Sequence, residues 1–323
     1  MKKCIAIIAS VLMLVSLLTG CGSGKKSGSY KIAIVQQMDH SSMDEIRLAI
    51  EAELTAKAAE KGIAVEYRDF NGQNDGTVLN QIGTQVVSDR YDAIIPIGTL
   101  AAQCMVSAAE GTDIPIIYAA ISNPEDAGLT GFDNVTGTSD ALNTSFILDM
   151  MFAVSPDIRT VGLLYSNSEP NSATPIAEAK AYLDAKGVAY LEKTGNNNGE
   201  VLDAANGLVG RVDAVFTPTD NTIMAAAGAV AEILAEAGIL FYAGADSFVT
   251  AGAFATCGVN YTELGSCTAD MAMDILTGGE VPPYRVMDGG IITVNTQTAS
   301  ALNVDYSPFG GMAPSVLEVT TAE

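Results

Sequence analysis

Tryptophan is absent from this chain, histidine occurs once, at position 40, and aromatic residues amount to only 6%. Clefts that take sugars stack rings on aromatic faces, so the shortage counts against a sugar. A lone histidine, with no nucleophile motif beside it and no further Cys/His ligands, supports neither acid–base catalysis nor a metal centre. The phosphate-cradling patterns GxGxxG and GxxxxGK[ST] are missing, as are the GxSxG elbow and HExxH of hydrolases. No catalytic residue, metal or cofactor is therefore expected. Basic residues are also scarce: 16 Lys and Arg stand against 38 Asp and Glu, a net charge of −22. Such a surface repels phosphate backbones and excludes nucleic acid as a partner. Cys104, Cys257 and Cys267 form an odd set without CxxC spacing. They build no disulfide framework and leave at most one bond open; buried free thiols are the commoner outcome in apolar surroundings.

What is present begins with Lys2-Lys3, an apolar run from Cys4 to Leu18, and Leu18-Thr19-Gly20-Cys21. These are the charged, hydrophobic and small-residue parts of a secretory signal, and the run is too short for a comfortable membrane span. Cys21 directly after Leu-Thr-Gly resembles a bacterial lipobox, which implies a lipid on its sulfur and a mature chain that starts there. The stretch Gly22 to Ser29 has the Gly/Ser/Lys composition of a flexible tether. Residues 1–20 are thus expected to be a lipoprotein signal peptide and 21–30 a tether. The domain is expected outside the cytoplasm, on the membrane through its lipid alone. Lys2 and Lys3 leave with the signal and no acid does, so the charge moves from −22 to about −24.

At 323 residues with 48% apolar content the chain exceeds one core and fills two. Lys31 to Gln36 reads as a strand, a helical pattern follows from about Met43 to Lys61, and Ala64 to Asp69 is a second strand. A helix over 76–88 and strands at Asp92–Ile97 and Ile114–Ala119 continue the order. The same order restarts at Thr160–Tyr165, with a helix near 172–186 and strands at Val212–Phe216 and Ile239–Ala243. Alternation of this kind predicts an α/β fold of two similar Rossmann-like lobes, each with a parallel sheet. The remaining segments, Phe254–Leu276 and Gly290–Asn295, are expected to cross between them as a multi-strand hinge. The expected lobes are 31–145 with about 253–284, and 146–252 with about 285–323.

Several loops carry a resemblance. They are Val35-Gln36-Gln37-Met38-Asp39-His40, Ile97-Gly98-Thr99-Leu100-Ala101-Ala102-Gln103, Ser122-Asn123-Pro124-Glu125-Asp126 and Asn134-Val135-Thr136-Gly137. Leu164 to Ser172, Pro218 to Thr222, and Gly252 to Gly265 follow in order. Together, over roughly residues 31–304, they resemble the ABC transporter substrate-binding family, whose better understood members take up tryptophan or tyrosine. The resemblance implies a periplasmic-binding-protein-like type I fold and a monomer that delivers its ligand to an ABC permease and its ATPase. Asp39-His40 stands where the family has Glu-His, and Ser122-Asn123-Pro124 where it often has Thr-Asp-Pro. A nucleoside or sugar ligand, or a solute-sensing receptor, stays open as the alternative.

An amino acid presents an ammonium and a carboxylate, so its cleft must offer acceptors for one and donors for the other. Thr99, before Leu100 and Ala101, and the run Ser168, Glu169, Asn171, Ser172 stand at helix starts, where they either cap the helix or hold a carboxylate. Asp220, between Thr219 and Asn221, and Asp246 follow strands and either cap or pair the ammonium. Gln36, Asp39, His40, Ser122, Asn123 and Tyr165 complete the expected ligand-binding set. Phe248 is a further aromatic able to clasp an apolar side chain.

Overall fold

A computed structural model describes residues 28–322, so the signal segment, Cys21 and most of the tether lie outside the described residues. In the first half of the chain β1 (Ser29–Gln36), α1 (Ser41–Lys61), β2 (Ala64–Asn71), α2 (Gly76–Ser88), β3 (Ala93–Ile97), α3 (Thr99–Ala108), β4 (Ile116–Tyr118) and β5 (Val135–Ser139) alternate. Then come α4 (Thr144–Val154), β6 (Thr160–Tyr165), α5 (Ala173–Lys186), β7 (Ala189–Thr194), α6 (Asn198–Asn206), β8 (Ala214–Thr217), α7 (Asn221–Met224), α8 (Ala227–Glu236), β9 (Leu240–Ala243) and α9 (Asp246–Thr250). The chain finishes with β10 (Ala255–Val259), α10 (Tyr261–Leu276), β11 (Arg285–Val286), β12 (Gly289–Asn295), α11 (Thr296–Ala301) and β13 (Val316–Val319).

Two sheets result. The first has the order β2-β1-β3-β4-β5-β11 and is parallel throughout; the second runs β7-β6-β8-β9-β10-β12-β13, with β12 and β13 running antiparallel to the rest. Strands β1 and β3 are buried on both faces, with Ile34 opposite Ile95, which is why they read as unbroken apolar runs rather than alternating ones. Helix ends follow local chemistry. Asp75 accepts the Thr77 and Val78 N–H groups to start α2, Asn260 accepts the Glu263 N–H to start α10, and Gly62, at φ 64°, ends α1 in the left-handed region.

The chain crosses between sheets after β5, after β10 and after β11. Two expected boundaries shift as a result. Ala255–Val259 pairs with β9 and β12, so the chain enters the first lobe only at Asn260 and not near 253. Arg285–Val286, expected in the second lobe, is the edge strand beside β5. The β10–β12 register shifts at Gly258/Val259, just before this crossing. Ser29 and Tyr30, expected in the tether, already belong to β1. Helix α10 packs along α1 so closely that a Cβ on Gly265 would lie 2.6 Å from the Ile46 carbonyl oxygen. The three remaining thiols are unpaired. Among the described residues no helix is long and apolar enough to cross a membrane.

One apolar cluster runs from Ile34 and Ile50 in the first lobe through to Val215, Ile223 and Phe248 in the second. The outer faces of the two sheets have separate clusters, around Leu79 and Met105 in one and around Leu163 and Phe216 in the other. Helices α1 and α10 cover this face of the first sheet and α6 and α8 that of the second, and the cluster is continuous where the two lobes touch.

Candidate functional site

The loops at the carboxyl ends of the parallel strands converge where the lobes meet, the place at which α/β sheets leave helix starts and backbone donors free. They line a pocket with about 430 Å³ of free space, part of it open to solvent. From the first lobe the walls are His40, Ser42, Met43 and Ile46 at the start of α1, and Gly98 and Thr99 at the start of α3. Ala120, Ser122, Asp140 and Tyr261 complete that side, and Asn171, Thr219, Asp220, Asn221, Met224, Ala245, Ser247 and Phe248 form the other. Met43, Ile46, Met224 and Phe248 make an apolar side, and the hydroxyls, amides and carboxylates a polar one.

Neither α1 nor α3 is capped by the side chain of its own N-cap residue, His40 and Gly98. The first N–H groups of α1, and its positive dipole end, thus stay available to an anion at the pocket, whereas at α3 the Leu100 N–H is already taken by Gln37. Gly98 makes this possible: at φ 95° its Cα faces Gln37 and Met43, and a Cβ would sit 2.8 Å from Gln37 Oε1. Gln37 Oε1 in turn accepts the Leu100 N–H at 3.0 Å.

Hydrogen bonds cross the closed seam. Ser42 Oγ donates to Asp246 Oδ1 at 2.7 Å, Asn74 Nδ2 donates to Glu169 Oε1 at 3.2 Å, and the Ser122 and Thr219 hydroxyls meet at 3.1 Å. His40 Nε2 approaches Asn221 Oδ1 at 3.4 Å, and Thr174 donates to Asp126 at the rim.

The electrostatics are those of a cleft rich in acid. Burial pushes the Asp140 carboxyl up to about 6, against the hydrogen bonds from Ser122 and Tyr261 that favour its ionised form. Burial raises Asp220 and Glu169 too, Asp220 further because Glu169 is near. It also raises Asp246. Burial lowers His40 despite its Asn221 contact and the nearby Asp44 and Asp39, so the imidazole is neutral at pH 7. No Lys or Arg is among the lining residues.

Of the residues expected from sequence, His40, Thr99, Ser122, Asn171, Thr219, Asp220 and Asn221 line the pocket. The others lie behind it or away from it. Gln36 Nε2 holds the β1–α1 loop through the Met38 carbonyl and Asp44, and exposed Asp39 accepts from Asn71. Leu100 and Ala101 pack in the first lobe's outer core. Asn123 closes a turn onto Asp126, Tyr165 donates to Glu192 at 2.8 Å, and Ser168 is exposed beside Ser166. Ser172 donates to Asp220 at 2.7 Å, and Glu169 gathers Asn221, Thr222 and Asn74. Asp246 lies at the start of α9 beneath Ser42.

Phe248, expected as an aromatic clasp, lines the pocket too, whereas Ser42, Met43, Ile46, Gly98, Ala120, Asp140, Met224, Ala245, Ser247 and Tyr261 were not expected from sequence. Asp140 had a usable signal: it directly follows Val135–Ser139, and residues just past parallel strands face the cleft.

A family model described as ABC transporter substrate binding protein matches residues 31–308. A tyrosine-binding protein of Clostridioides difficile is 31% identical, over 94% of this chain and 93% of its own length. A Streptococcus pneumonia ABC domain solved in complex with L-Trp superposes with a TM-score of 0.83 at 28% identity, covering 90% of this chain and all of that one. A ligand-free, open substrate-binding protein from Clostridium difficile reaches only 0.67 at 31% identity, covering 91% of this chain and all of that one. The better fit at lower identity agrees with the hydrogen-bonded closure, because global superposition is sensitive to the angle between lobes. With its family model spanning most of the sequence and its fold shared with solved members, the chain belongs to the ABC transporter substrate-binding protein family.

Proposed function

We propose that this protein is the extracytoplasmic solute-binding lipoprotein of an ABC importer and that it captures an amino acid with a hydrophobic, aromatic side chain by lobe closure. The observation that carries this reading is the seam itself. Ser42 to Asp246, Asn74 to Glu169 and Ser122 to Thr219 join the lobes over one pocket that is apolar on one side and polar on the other. The uncapped start of α1 supplies donors for a carboxylate, and the carboxylate and amide oxygens of the walls supply acceptors. Met43, Ile46, Met224 and Phe248 suit an apolar side chain.

On this reading His40, Thr99, Ser122, Asn171, Thr219, Asp220 and Asn221 face the ligand. Gln36, Asp39, Glu169, Ser172 and Asp246 hold the loops that present them. Delivery is to a permease and its ATPase, the chain acts as a monomer, and a lipid on Cys21 keeps it at the membrane. On this reading the ligand passes to the permease unchanged. The ligand names of two relatives, tyrosine and L-Trp, support the aromatic class.

Thermal-shift screening of the purified protein tests the reading. At 100 times its dissociation constant a ligand stabilises the native state by about 2.7 kcal/mol. Tyrosine, tryptophan and phenylalanine are expected to shift the melting temperature upward, while nucleosides and sugars leave it in place. Stabilisation by a nucleoside or sugar alone contradicts the amino-acid ligand.

A further inference from the structure

Four carboxylates surround the pocket, and three already have their work. Asp220 Oδ2 accepts the Ser166 N–H at 2.6 Å and the Ser172 hydroxyl at 2.7 Å, while Oδ1 accepts the Ile223 N–H at 2.9 Å. It caps α7 and ties that helix to the loop after β6. Glu169 accepts from Asn221, Thr222 and Asn74 and does not line the pocket. Asp246 accepts the Ser42 hydroxyl at the seam and does not line it either.

Asp140 differs. It lines the pocket, is 7% exposed, and receives only neutral donors: Ser122 Oγ at 3.2 Å, its own backbone N–H and the Tyr261 hydroxyl. An ionised carboxylate has about four acceptor positions, so capacity remains for further donors. No cation lies along the walls, and a buried carboxylate with only neutral donors is costly until a positive charge joins it. A second acceptor shares the pocket. Asn171 Nδ2 donates to the Thr219 carbonyl at 2.5 Å, which fixes the amide, and its buried Oδ1 has no donor among the described residues. Ser122 also links Asp140 to closure, because its hydroxyl meets Thr219 of the other lobe.

We infer that Asp140 binds the ammonium group of the ligand, with Asn171 Oδ1 as the second acceptor, and that this pair selects amine-bearing ligands over their deaminated counterparts. The inference rests on the amino-acid reading above and deepens it. Asp220 and Asp246, the acids that sequence pointed to, act on the loops and the seam.

The test is calorimetry of wild type, Asp140→Asn and Asn171→Ala with L-tyrosine and with 3-(4-hydroxyphenyl)propionate, its deaminated analogue, and with L-tryptophan and indole-3-propionate. Wild type is expected to prefer the amine about 100-fold. Asp140→Asn, which keeps the side-chain volume, is expected to weaken amine binding about 10- to 100-fold and to bring the two ligands within a few-fold of each other. Asn171→Ala leaves the buried acid untouched and is expected to reduce the preference about five- to tenfold; it carries the test should the first variant not fold. Amine binding by Asp140→Asn within threefold of wild type, or an undiminished preference in either folded variant, overturns the assignment alone. Failure of wild type to bind any of the amino acids overturns the ligand class and the assignment together.

Discussion

Asn74 isolates closure from ligand contact, because it bridges the lobes without lining the pocket. Its Nδ2 donates to Glu169 Oε1 at 3.2 Å, and its Oδ1 accepts from Gln37 Nε2 at 2.7 Å. Asn74→Asp keeps the shape and the Gln37 bond, and the left-handed backbone there, at φ 55°, suits Asp as it does Asn. In the open form the new carboxylate is in water and costs little. In the closed form it loses the bond to Glu169 and faces that carboxylate directly, with the Thr222 hydroxyl able to serve only one of them. Two like charges about 4 Å apart at an effective dielectric of about 20 repel by about 4 kcal/mol, an upper bound because one acid can take up a proton. Burial already raises Glu169, so that uptake is accessible. A net closure penalty of about 2–4 kcal/mol weakens apparent affinity about 30- to 900-fold, since ligand binding is linked to the closed form. Calorimetry at pH 7.5 and 5.5 reads it, with a smaller loss expected at the lower pH as the pair shares a proton. Unchanged affinity at pH 7.5, within twofold, refutes the reasoning.

Other outcomes follow from the same geometry. Asp140, pushed up to about 6 by burial, must ionise to pair a cation, so amine affinity should fall about tenfold between pH 7 and pH 5 while the deaminated analogue shows no such loss. The linkage in the free protein has the opposite sign: a raised carboxyl favours the folded state when protonated, so its stabilising contribution is full below about 4 and is lost as pH rises through about 6, a trend that urea titrations along a pH series should show less steeply for Asp140→Asn than for wild type, the raised Asp220, Glu169 and Asp246 supplying the remainder. Gly98→Ala should cost about 1–3 kcal/mol and disturb binding, through both the positive φ and the clash with Gln37 and Met43; a melting temperature equal to wild type contradicts it. Cys21→Ala should release the protein from membranes, and fatty-acid labelling that fails to mark the unmutated chain refutes lipidation.

Much of the fold was legible because buried parallel strands advertise themselves. Ala93–Ile97 has an apolar set flanked by Asp92 and Gly98, and helix 76–88 coincides with its sequence limits because Asp75 is a strong cap. What escaped has weak patterning. Val135–Ser139 carries four hydroxyl-bearing or glycine residues, and Ala189–Thr194 and Val316–Val319 are partly exposed sheet-edge segments without a continuous apolar run. The crossing points were misjudged because which sheet a strand joins is a long-range matter: Arg285–Val286 is two exposed residues whose place is set by Thr138 and Ser139. At the site, polar residues after strands stood out, and seven of them do line the pocket. The apolar wall did not stand out, since Met43, Ile46 and Met224 follow helical spacing that equally describes core. Nor did sequence separate Asp220 as cap from Asp140 as open acceptor, a distinction that lies in hydrogen-bond partners alone.

The central claim is capture without chemistry, and titration of the purified domain with L-tyrosine and L-tryptophan, followed by mass spectrometry of the recovered ligand, tests it most directly. The account expects saturable binding at one site per chain by at least one of them, with the ligand recovered unchanged. Binding of neither, or recovery of a converted product, contradicts it.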